Sequence, residues 1–96
     1  MDIRKIVDVP VVSRCTHVNI LQILNDMERY FKCQMQASIE LYEGEQLVNE
    51  TWDDLQIIKG KLRILCDVHL ITLDECTELE IVFYDIRSEY LDKIFR

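Results

Sequence analysis

From Lys61 to Thr72, the apolar residues Leu62, Ile64, Cys66, Val68 and Leu70 alternate with Arg63, Leu65, Asp67, His69 and Ile71. A period of two marks a β-strand, whose successive side chains point to opposite faces. Because both phases carry apolar residues, this strand is expected at the centre of a sheet. No other feature of the chain constrains the fold as strongly.

The remaining segments are read around that strand. Residues 3–12 hold Ile3, Ile6, Val7, Val9, Val11 and Val12, a β-branched density that predicts a strand with Pro10 near its end. Thr16 is the expected N-cap of a helix reaching about Phe31, with Ile20, Ile23, Leu24, Met27, Tyr30 and Phe31 on one face. Met35, Ala37, Ile39 and Leu41 alternate with polar neighbours and predict a second strand, and 46–49 would return from a turn at Glu43-Gly44-Glu45. Thr51-Trp52-Asp53-Asp54 reads as a capping box opening a short helix that Gly60 stops. Leu79–Ile86 predicts another strand, and Ser88 caps a terminal helix.

The expected fold class is therefore α+β. It is a two-layer sandwich with a mostly antiparallel sheet of four or five strands and helices on one face. A ferredoxin-like βαββαβ core plus an extra strand and C-terminal helix fits this order. Ninety-six residues allow one domain, 1–96, with one core.

Composition excludes several chemistries. With two glycines, at 44 and 60, neither a G-x-G-x-x-G nor a Walker loop can be written. The serines at 13, 38 and 88 lie in no G-x-S-x-G turn. Cys15 with His17 and Cys66 with His69 offer thiol–imidazole or zinc pairs, but neither spacing matches a zinc knuckle. On a strand, Cys66 and His69 would face opposite ways. No enzyme activity, cofactor or metal is expected. No apolar run reaches the roughly 18 residues of a membrane span, and the N-terminus lacks the apolar region of a signal peptide. A cytoplasmic setting with reduced cysteines is the expectation.

Charge carries the functional reading. The net charge is −7, which repels phosphate backbones and anionic membranes and attracts basic proteins. No Lys or Arg falls between Lys32 and Lys59, where Glu40, Glu43, Glu45, Glu50, Asp53 and Asp54 stand. None falls between Arg63 and Arg87, where Asp67, Asp74, Glu75, Glu78, Glu80 and Asp85 stand. If the two stretches meet at one end, they form a single negative patch with Trp52, the sole tryptophan, as its anchor. The expected partner-binding residues are Glu40, Glu43, Glu45, Glu50, Trp52, Asp53, Asp54, Asp74, Glu75, Glu78 and Glu80. The expected role is an inhibitor or regulator, of the immunity or anti-defence kind found in phages and viruses. It would dock a basic, nucleic-acid-binding protein without touching nucleic acid itself. The alternative is a structural or regulatory homodimer closed by apolar residues such as Tyr90, Leu91, Ile94 and Phe95.

Overall fold

The structure, a computed structural model, describes residues 3–7 and 19–95, and among these there is no strand. Helix α1 spans Ile3–Ile6, α2 Ile20–Leu41, α3 Gly44–Asp67 and α4 Leu73–Phe95. The expected α+β sandwich, its antiparallel sheet and its ferredoxin-like core are overturned by a bundle of three long helices.

Only Tyr42 and Glu43 separate α2 from α3, and residues 68–72 separate α3 from α4, so consecutive helices run antiparallel. Contacts across the bundle fix the register. Arg63 Nε donates to Glu80 at 2.9 Å, and Arg87 Nε donates to Thr51 Oγ1 at 3.1 Å. Helices α2 and α4 therefore lie parallel, with Phe31 packed edge-on against Phe83 at 5.4 Å between ring centroids and 85° between planes. The described residues span 45 × 21 × 20 Å. Ile3 and Val7 are buried in the same core cluster as Ile20 and Ile71, so α1 closes one end of the bundle.

The burial pattern explains why the strands do not form. Across 31–38 the buried residues are Phe31, Met35 and Ser38, a helical 4-3 spacing, while Ala37 and Leu41 of the supposed strand face are exposed. Across 61–72, Leu62 is buried while Ile64 and Val68 are exposed, so the alternation there has no bearing on which residues face the core. Leu79, Val82, Phe83 and Ile86 form the inner seam of α4. Ile and Val tolerate helices at small cost, and packing of an amphipathic face overrides that preference.

Three expected caps move. Thr16 lies outside the described residues, and Asn19 caps α2 by accepting the Gln22 N–H at 3.0 Å. The box at Thr51 lies inside α3, where the Thr51 hydroxyl donates back to Leu47 O at 2.8 Å. The true capping box is Thr72-Leu-Asp-Glu75: Thr72 Oγ1 accepts the Glu75 N–H at 3.1 Å, and Glu75 Oε1 accepts the Thr72 N–H at 2.8 Å. Ser88 lies inside α4 and caps nothing. Of the strand expected over 3–12, residues 3–6 are helical and 8–12 lie outside the described residues. Helix α3 ends in a turn where His69 takes a left-handed φ of 63° and Leu70 N–H bonds back to Leu65 O at 2.9 Å.

Gly60 does not stop a helix but sits within α3, exposed, and a Cβ added there meets nothing within 4 Å. Gly60→Ala is therefore expected to stabilise the fold by about 0.5–1 kcal/mol, raising Tm by roughly 2–8 °C in a scanning thermal melt. Gly44 is the opposite case, because its φ of 56° strains any side chain even where space is open.

Candidate functional site

Roughly 100° of rotation per residue puts two apolar seams on α4. Leu79, Val82, Phe83 and Ile86 form the inner one, and Ile81 with Tyr84 stands beside it. On α3, Trp52, Leu55 and Lys59 follow the same 3–4 spacing along the flank that faces α4. The antiparallel register brings the two sets together into a groove of about 220 Å³, floored by Leu55 and bordered by Thr77 and Glu80. Trp52, Ile81 and Tyr84 are 45%, 44% and 50% exposed, so three large apolar side chains stand side by side in solvent. An aromatic pair beside an aliphatic residue in a groove is a typical protein-docking anchor.

Arg87 backs the groove. It is 8% exposed, its guanidinium lies 5.3 Å from the Trp52 ring centroid, and Nη2 donates to Val48 O at 3.2 Å. Burial holds its pKa below the usual arginine value, opposed in part by Tyr84. Stacked on Trp52 and bonded to two groups of α3, Arg87 fixes where the indole stands.

The acids predicted from the sequence divide into two groups. Glu43, Glu45, Glu50, Asp53 and Asp54 lie on the first half of α3 or at its start, with Glu40 near the end of α2. Asp74, Glu75, Glu78 and Glu80 lie on the first half of α4. Because α3 and α4 are antiparallel, these halves sit at opposite ends, about 15–25 Å apart at 1.5 Å per residue. The hairpin brings Glu80 to the Trp52 groove and keeps the α3 group away from the α4 group.

Several acids already have structural work. Glu75 is buried and closes the capping box of α4. Glu80 is bonded to Arg63 at 2.9 Å, which raises the arginine's pKa, and accepts from Cys76 Sγ at 3.8 Å. Gln36 donates to Glu40 at 3.3 Å. Burial, then the neighbouring charges of Glu50 and Asp53, push the Asp54 carboxyl above its ordinary range. Asp74, Glu78 and Asp85 are exposed on α4, but Asp74 and Glu78 line a cleft with Lys5 and Asp85 lines another with Lys32, both apart from the groove.

Burial raises the Cys76 thiol pKa, with Glu80 adding to it, so the nucleophilic thiolate is disfavoured. Cys66 and His69 are not on a strand: they lie at the end of α3, where Cys66 O accepts the His69 N–H at 3.0 Å. Cys15 and His17 lie outside the described residues. Among the described residues no group of three or more His, Cys, Asp or Glu is placed to hold a metal. Among those residues, too, no helix is long and apolar enough to cross a membrane.

Of the groove's residues, the sequence reading named Trp52 and Glu80, as parts of one acidic patch, and did not name Lys59, Ile81, Tyr84 or Arg87 behind it as binding residues. The signal that finds them is the 3–4 spacing of 52-55-59 and 77-81-84, visible only once both segments are read as helices. No protein-family model matches the chain, and no curated protein or solved structure matches it.

Proposed function

We propose that the protein is a binding module that seats a basic, amphipathic segment of a protein partner in the α3–α4 groove, regulating or inhibiting that partner. The observation that carries this reading is the set of half-exposed side chains Trp52, Ile81 and Tyr84 along one groove between two helices. An amphipathic helix docks such a groove through apolar side chains spaced at i, i+3, i+4 and i+7. The net charge of −7 favours a segment that carries Lys and Arg on its flanks. Charge steers the encounter; the apolar anchors supply most of the affinity.

Trp52 is the only tryptophan, so its fluorescence reports the groove directly. A synthetic helical peptide of leucine and lysine is the probe, with a leucine–glutamate peptide of the same pattern as control. The expected result is a blue shift of emission with the lysine peptide only, weakening steeply as ionic strength rises. Tyr84→Ala, with far-UV circular dichroism unchanged, is expected to raise Kd at least about tenfold, or 1.4 kcal/mol. Equal binding of both peptides, or a complex indifferent to salt, refutes the proposal.

A further inference from the structure

The flank of the bundle between α2 and α3 carries a second regular pattern. On α2, Ile23, Met27, Tyr30, Gln34, Ala37 and Leu41 are spaced 4-3-4-3-4. On α3 and its C-cap, Glu50, Asp54, Ile57, Lys61, Ile64 and Val68 repeat the same spacing. Each row is one continuous strip of its helix, mostly apolar on α2 and mixed apolar and charged on α3. The two rows lie next to each other, since Ile23 and Met27 line one shallow cleft with Lys61, Ile64 and Leu65. Yet Tyr30, Leu41, Ile57, Ile64 and Val68 are all more than half exposed. Covering them removes on the order of 500 Å² of apolar surface per copy, the centre of an interface of about 800 Å² a side.

The charges on these rows indicate what covers them. Lys61 lies over the Tyr30 ring at 5.8 Å, and among the described residues no ion pair holds either Lys61 or Asp54. Both stand on the same row of α3, seven residues apart, with Ile57 between them. We infer that this face binds a second copy of the chain, with α2 and α3 packed antiparallel on their counterparts about a twofold axis at Tyr30 and Ile57. That axis sets Lys61 of each copy against Asp54 of the other, two ion pairs flanking an apolar centre, in the isologous form of a closed dimer. The crowding of Asp54 by Glu50 and Asp53 is then relieved by a cation from across the axis. Repulsion between two copies of −7 is screened beyond about 8 Å at physiological salt, so the dimer tolerates the net charge. The α3–α4 groove lies on a different flank and stays open, so the two readings stand or fall separately.

Sedimentation equilibrium at physiological salt tests the dimer. The wild-type protein is expected at twice the 11.5 kDa of one copy. Lys61→Asp alone and Asp54→Lys alone place like charges together twice per interface, and each is expected to weaken the dimer at least about tenfold. An equimolar mixture of the two variants restores both opposite-charge pairs and is expected to recover the doubled mass. Circular dichroism checks that each variant is folded, and Ile64→Asp serves as a further dimer-breaking variant. A wild-type protein that stays at the single-copy mass, or a dimer that both single variants leave intact, overturns the inference. So does a mixture of the folded variants that does not reassociate.

Discussion

Phe83→Ala is expected to cost about 3–5 kcal/mol, the largest loss from any single truncation in the core. Phe83 is fully buried at the middle of α4 and meets Phe31 of α2 edge-to-face at 5.4 Å. Removing it loses the transfer energy of the ring, leaves a cavity lined by three helices, and ends an aromatic contact of about 0.5–1.5 kcal/mol. A chain of this length is stable by only roughly 5–14 kcal/mol, so the variant sits near its threshold. Urea unfolding measures it: the midpoint should fall sharply while the slope stays constant, which locates the change in stability and not in the unfolded ensemble. Phe83→Leu keeps most of the volume and should lose far less. A loss under about 1 kcal/mol for the alanine variant would mean that the three long helices do not share this core.

What was legible in the sequence was helical structure from Ile20 to about Phe31, although of the expected face Ile20, Leu24 and Phe31 are buried while Tyr30 is exposed. The rest was hidden by a coincidence of periods. In α3, Leu62, Leu65 and Cys66 face inward while Ile64 and Val68 form part of an exposed row, so two helical rows laid over each other imitate a period of two. The same overlap on α2 sets buried Met35 beside exposed Ala37 and Leu41. A surplus of surface hydrophobes therefore both disguised the helices and marks where the protein meets others.

The caps were misjudged for a related reason. Thr51-Trp-Asp-Asp54 and Thr72-Leu-Asp-Glu75 look equally good as sequence, and only the second has a carboxylate long enough to reach back to its threonine's N–H. Gly60 suggested a stop, but one glycine in a long exposed helix costs about 1 kcal/mol, which packing on two neighbours exceeds. The acidic stretches were read correctly as cation-free. Their convergence was not available from the sequence, because it depends on helix direction. An antiparallel pair separates any two segments that both follow a helix start, as Glu45–Asp54 and Asp74–Glu80 do.

Arg87→Ala is expected to destabilise the fold by about 2–3 kcal/mol, whereas Arg87→Met should stay within about 1 kcal/mol of the wild type. The guanidinium lies at the α3–α4 interface, donating to Thr51 and Val48 and covering the inner side of Trp52. Alanine removes that whole volume and leaves a hole beneath the indole. Methionine fills it, and the groups it leaves behind are not orphaned: Thr51 Oγ1 still donates to Leu47 O. Burial, which disfavours the charged form, lowers the arginine's pKa, and a neutral side chain of similar length carries no such penalty. On this reading the charge of Arg87 serves the position of Trp52 and not stability. If so, Arg87→Met should melt within about 8 °C of the wild type yet alter the tryptophan emission maximum and weaken binding of the leucine–lysine peptide. A methionine variant as unstable as the alanine one would place the value of Arg87 in its hydrogen bonds and remove it from the workings of the groove.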